Sequence, residues 1–206
     1  MATLPMFPLG TVLLPGAYLS LHVFEPRYRA LVQACLDGTP EFGVALIERG
    51  SEVGGGDTRF DVACVARIVE AVSMPDGRWA LGTVGARRIR VEEWLDDDPY
   101  PRADVTPWPD PPAGTAAAEA REPLLAATRR LLALSAELGE AVAPATVDVD
   151  EDPVLAVYQL AAIAPLGPLD RLSLLGAPGP DERAALLGRL LEEAVEVAEA
   201  RLDGRA

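Results

Sequence analysis

The sequence runs to 206 residues, 50% hydrophobic and 24% charged, with 18 basic and 32 acidic side chains for a net charge of −14. That size and composition describe a folded chain of one large domain or two small ones. Every basic residue is arginine, which excludes a phosphate-binding G-x-x-x-x-G-K-[ST] loop, a Schiff-base lysine and a Ser-Lys dyad, because each uses a primary amine.

No charged residue precedes Glu25, so a secretory leader or a membrane anchor has to be weighed first. Both fail on the prolines. Pro5, Pro8 and Pro15 interrupt any helix, and no basic residue precedes the apolar run. The best later apolar stretch, Val154 to Leu169, contains Gln159, Pro165, Gly167 and Pro168, too broken for the roughly 20 apolar residues of a span. A soluble chain with no membrane partner is expected.

The opening pattern reads as β-structure: Thr11 to Leu14 and Tyr18 to Phe24 are expected strands. Between them, Pro15-Gly16 supplies the fixed φ and the permissive glycine of a tight turn. At Glu25 the period changes. Tyr28, Leu31, Val32, Cys35 and Leu36 fall on one helical face, with Pro26 in the first turn, Glu25 at the positive end of the dipole and Gly38 as the stop. Further strands are expected over Phe42 to Ile47, Phe60 to Val72, Arg78 to Val84, Arg88 to Trp94 and Arg102 to Thr106. Gly54-Gly55-Gly56, without a lysine or a following helix, reads as a connection between strands.

The proline-rich, acidic stretch Asp96 to Gly114 precedes a turn in composition towards Ala, Leu and Glu. A boundary there gives an expected β-rich domain over 1–112 and an α-helical bundle over 113–206. Helices are expected at 115–142, 153–164 (Asp152 as cap, Pro153 at the first position), 168–175 and 180–202. Leu187, Leu191, Ala194, Ala198 and Leu202 form the apolar stripe of the last, which is expected to pack within the bundle.

Chemistry-bearing residues are few. Cys35 and Cys64 show no C-x-x-C spacing and no partner histidines, so neither a disulfide framework nor a structural zinc is expected, and a reducing cytoplasm fits best. The single histidine, His22, has Ser20 as its only nearby hydroxyl, and no G-x-S-x-G elbow occurs. Asp96-Asp97-Asp98 and Asp148, Asp150, Glu151, Asp152 are the acid clusters on which a carboxylate- or metal-dependent hydrolase would have to rest. They lack calcium-hand spacing and read as loop acids. The basic run Arg87-Arg88-Ile89-Arg90 is followed at once by Glu92 and Glu93, and residues 1–112 carry 10 Arg against 16 acids. It reads as a solvated strand face, which makes an RNA-binding barrel a weaker alternative and nucleic acid an unexpected partner.

Several motifs then fall in one order. Phe7-Pro8-Leu9, Val12-Leu13-Leu14-Pro15-Gly16 and Leu21-His22-Val23-Phe24-Glu25-Pro26-Arg27-Tyr28 follow F-P-L, V-x-x-P-G and L-x-[IV]-F-E-x-R-Y. Gly77 through Val91 follows G-R-x-x-L-x-x-x-G-x-x-R-x-x-[IV]. This combination resembles the amino-terminal, substrate-binding domain of the Lon protease family, with a looser likeness in the helical half at Leu172 to Leu175 and Arg183 to Leu191. One departure is Ser20, where proline is common in that family.

The resemblance implies an α+β fold: a PUA-like pseudo-barrel of strands with one helix, then a helical bundle, as in stand-alone bacterial Lon-domain proteins. A complete Lon protease continues into ATPase and Ser-Lys peptidase modules. This chain stops short of them and has no lysine, so the resemblance implies binding without proteolysis. The expected function is capture of unfolded polypeptide or of a dedicated protein partner, by hydrophobic burial or strand addition, with no cofactor and no metal. Leu14, Tyr18, Leu19 and Phe24 are the candidate polypeptide-binding residues. Glu25, Arg27 and Tyr28 are expected to lock the strand-to-helix corner.

Overall fold

A computed structural model describes residues 2–204. Two compact units meet in sequence between Pro109 and Asp110.

The first unit is built on six strands, β1 (Ala2–Leu9), β2 (Tyr18–Val23), β3 (Glu41–Arg49), β4 (Thr58–Ser73), β5 (Trp79–Leu95) and β6 (Arg102–Pro107), with helix α1 (Pro26–Asp37) between β2 and β3. The sheet order is β2-β5-β4-β3-β1-β6, and β6 also pairs with β5. Five strands therefore close into a ring, while β2 hangs on the outside of β5 alone. Among the described residues only the β1–β3 pair is parallel. Inside the ring, Met6, Ala45, Ala63, Val65, Ile89, Val91, Ala103 and Val105 form a contiguous buried cluster, the inward half of the alternation that strands impose.

Two strand expectations need correction. Thr11 to Leu14 is an irregular segment, and the true first strand is Ala2–Leu9, despite Pro5 and Pro8. β1 changes partner half-way: residues 2–5 ladder with β6 and residues 6–9 with β3. Each proline thus lies in a half with an open side, where a missing N–H removes no ladder bond. The expected strands over 78–84 and 88–94 are one long strand, β5. Gly85, inside β5, lies where the Leu14 carbonyl crosses, 2.1 Å from where a Cβ would stand.

Helix α1 follows its pattern. Pro26 opens it, Tyr28, Leu31, Val32 and Cys35 face inward, and the Gly38 N–H closes it on the Cys35 carbonyl at 3.3 Å. The buried Leu31 and Val32 each contribute about 1.5–3 kcal/mol relative to exposure.

The second unit holds α2 (Thr115–Glu137), α3 (Pro153–Ile163), α4 (Pro168–Leu175) and α5 (Pro180–Asp203). α2 ends before the expected 142, just ahead of Gly139 at φ +81°. Asp152 caps α3 as expected, accepting from the N–H groups of Val154 (2.8 Å) and Leu155 (3.4 Å). On α5, Leu187, Leu191, Val195 and Ala198 are buried, whereas Ala194 and Leu202 of the expected stripe are half-buried. The sequence pattern did not reveal Arg183, fully buried on α5. It donates to Asp110 Oδ1 at 2.7 Å and the Leu174 carbonyl at 3.0 Å, and stacks over Tyr158, whose hydroxyl donates to Asp110 Oδ2.

Candidate functional site

The strand that hangs outside the ring carries the exposed aromatics. Along β2, Leu21 and Val23 point inward and are buried with Leu19 half-buried, while Tyr18, Ser20 and His22 face out. Phe24 continues that outward row; Tyr18 is 65% and Phe24 55% exposed. Leu14 has to be removed from the surface candidates. Its side chain is 1% exposed, because the Pro15-Gly16 turn folds back against Gly85, with the Gly16 N–H on the Gly85 carbonyl at 2.8 Å.

Tyr18 does not project freely. Its ring lies across Gly82 of β5, where a Cβ would stand 2.6 Å from the hydroxyl oxygen. Beside it, Ser20, His22, Glu70, Val72, Ala80 and Gly82 complete a shallow depression of about 180 Å³ on the outer face of the sheet. Val72 on β4 adds exposed apolar surface to this face. A second pocket of about 180 Å³ lies beside β2, lined by Phe7 and Leu9 of β1, residues 20–25, Tyr28, Glu52 and Val53.

The corner between β2 and α1 is tied to the glycine-rich loop. Glu25 Oε2 accepts from Arg27 Nε at 3.2 Å and from the Gly54 N–H at 3.4 Å, and Arg27 donates to the Glu52 carbonyl at 3.3 Å. Gly54, Gly55 and Gly56 all have positive φ, which lets the loop turn back within reach of these groups. Arg27 also stacks over Tyr28 at 4.4 Å, and Tyr28 stacks on Phe7. Burial pushes the Tyr28 hydroxyl up to about 12, against the opposing pull of Arg27.

The other chemistry-bearing residues are occupied structurally. Cys35 and Cys64 are free and buried, and burial pushes their thiols up to about 11 and about 12, far from a reactive thiolate. Asp97 pairs with Arg59 at 2.9 Å, and Asp150 accepts the Asp152 N–H at 2.9 Å. No group of three His, Cys, Asp or Glu placed to hold a metal ion occurs among the described residues. The basic run departs from the expected solvated face at one position. Arg88 is 2% exposed, and it and Arg90 lie over the Trp108 ring at 4.3 and 3.8 Å, while Arg87 pairs with Glu41 at 2.8 Å. Among the described residues no helix is long and apolar enough to cross a membrane.

Comparison with known proteins decides the family. The model for the ATP-dependent protease La (LON) substrate-binding domain matches residues 3–193. The chain belongs to this family. Lon protease 2 of Herpetosiphon aurantiacus is 27% identical over 200 residues, covering 95% of this chain and 24% of that protein. Lon protease of Cytophaga hutchinsonii is 32% identical over 107 residues, covering 51% of this chain and 13% of that protein. The chain thus spans a quarter or less of the length of these curated relatives. Among solved structures, a Lon N-terminal domain protein from Xanthomonas campestris has a TM-score of 0.62 and 30% identity, covering 91% of this chain and 97% of its own. The N-terminal domain of Mycobacterium avium complex Lon protease has a TM-score of 0.63 at 18% identity, covering 93% and 98%. At that identity it supports the α+β fold alone. In this Lon-family chain, the L-x-V-F-E-x-R-Y motif, Leu21 to Tyr28, forms the end of the outer strand β2, its aromatic extension Phe24 and the pinned corner.

Proposed function

We propose that this chain is a polypeptide-binding module of the Lon substrate-recognition type, without catalysis of its own, acting in a reducing cytoplasm as an adaptor for proteolysis or quality control. Its ligands are segments of unfolded protein. The observation that carries this reading is the exposure of Tyr18 on the outer strand and of Phe24 just past its end, where Leu21 and Val23 beside them are buried. Large aromatics held on a rigid strand bury much area on binding at little entropic cost. The Glu25, Arg27 and Tyr28 corner serves this surface by fixing the angle between β2 and α1.

A hydrolase finds no support in buried, protonated thiols and in acids engaged in turns, caps and ion pairs. An RNA-binding role finds none in a basic run paired with Glu41 and stacked on Trp108. The test is capture of a fluorescently labelled, carboxymethylated unfolded polypeptide by Tyr18→Asp and Phe24→Asp variants. Each variant is expected to weaken capture on the order of tenfold or more with thermal unfolding unchanged. Unchanged capture by both folded variants rejects this surface.

A further inference from the structure

We propose that the bound polypeptide joins the sheet as an additional strand along the open side of β2. This rests on the polypeptide-binding reading and specifies its chemistry: recognition of extended backbone, with side chains secondary.

Three observations converge on that side of β2. First, the strand stands at the end of the sheet order and, among the described residues, pairs with β5 alone. Second, the direction of its backbone groups can be derived. Alternate residues of a strand send both N–H and C=O to the same side. The Ala17 carbonyl accepts the Gly85 N–H at 2.9 Å, and the Leu19 carbonyl accepts from Thr83 Oγ1 at 2.9 Å, so this parity faces β5. Tyr18, Ser20 and His22 therefore turn their N–H and C=O groups to the open side, a row of donors and acceptors that another extended backbone matches.

Third, the pocket lined by Phe7, Leu9, residues 20–25, Tyr28 and Val53 contains no residue of β5, the neighbour of β2 in the sheet. It therefore opens at the strand's free edge, on the side of the inward-facing Leu21 and Val23, in contrast to the depression at Tyr18, whose lining includes Ala80, Leu81 and Gly82 of β5. An added strand sends alternate side chains to opposite faces, so one set meets this pocket and the other meets Tyr18 and His22. Glu25 and Glu52 line the pocket and Glu70 lines the outer face, on a chain of net charge −14. The segment that fits is extended, apolar at alternate positions and free of acidic residues.

The experiment titrates the full chain into a labelled peptide of alternating leucine and threonine flanked by arginines, and into two versions with backbone N-methyl groups on one or the other alternate set. Ser20→Pro is the protein-side counterpart: it removes an outward N–H that makes no bond to β5, at an edge position where proline is tolerated. Strand addition predicts that one methylated peptide loses binding while the other keeps it. It also predicts that Ser20→Pro lowers affinity on the order of tenfold at an unchanged melting temperature. Equal binding of both methylated peptides, with Ser20→Pro unaffected, overturns strand addition and leaves polypeptide capture standing. A concentration-dependent dimer of the protein that dissociates in Ser20→Pro also overturns it, by making a second copy of the chain the occupant. Failure to bind the peptide while still capturing an unfolded protein overturns strand addition alone, and failure to bind either removes both readings.

Discussion

The Tyr28 ring stacks on the Phe7 ring with 4.0 Å between centroids and 11° between planes. This joins the end of β1 to the first turn of α1 beneath the candidate surface. Tyr28 is 3% exposed, and its hydroxyl has no hydrogen-bond partner among the described residues. Burying a polar group without a partner opposes folding, whereas the ring itself supports it. Tyr28→Phe is therefore expected to leave stability unchanged or raise it by about 1 kcal/mol, while Tyr28→Ala costs about 3–5 kcal/mol. Urea denaturation of the two variants checks this; a loss of more than about 1 kcal/mol in Tyr28→Phe contradicts it.

Glu25 holds the glycine-rich loop through the Gly54 N–H and orients Arg27 towards the Glu52 carbonyl. Glu25→Ala is expected to speed amide exchange in residues 50–57. It lowers global stability by about 1–2 kcal/mol, since the pair is part-buried and Arg27 is left without its carboxylate partner. Exchange unchanged in that loop would show that the corner does not hold it.

Glu41 gives the fold an acid dependence. The hydrogen bond from Arg87 holds its carboxyl below the ordinary value of 4.5, outweighing the opposing effect of burial, and Arg67 adds to it. A carboxylate depressed in the folded state contributes stability that is present above its unfolded pKa and is lost as pH falls through the lower folded value. Between about pH 5 and pH 3, Glu41→Gln is thus expected to lose stability less steeply than the parent. Parallel slopes in denaturant titrations across that window contradict the assignment.

Arg183 and Asp110 bind the second unit together from inside. Asp110→Ala leaves a fully buried guanidinium without its carboxylate and is expected to cost about 3–5 kcal/mol. Adding Arg183→Met to that variant removes the stranded charge and is expected to recover part of the loss. A double variant no more stable than the single one contradicts this account.

The helices were legible in the sequence because their ends carry local chemistry. Pro26, Pro153, Pro168 and Pro180 all stand at helix starts, and Asp152 caps as its type and position imply. Strand β1 was not, because the prolines that normally forbid a strand sit where it changes partner, a fact of topology. The long β5 was hidden for the same kind of reason: Gly85 marks a chain crossing and not an end. At the candidate surface, Phe24 lies within the family motif and Tyr18 is marked only by its place on the opening strand, and neither signal separates them from Leu14 and Leu19. Only the path of the Pro15-Gly16 turn sends Leu14 into the core. Arg183 carries no local signal, since a buried arginine depends on a carboxylate 73 positions away.

The most direct test of the account is fluorescence anisotropy of a labelled, permanently unfolded polypeptide titrated with the purified chain, with a folded protein and single-stranded RNA as competitors. Polypeptide capture predicts saturable binding that neither competitor displaces. Binding displaced by RNA, or none up to roughly millimolar protein, where affinity is only about 4 kcal/mol, would contradict it.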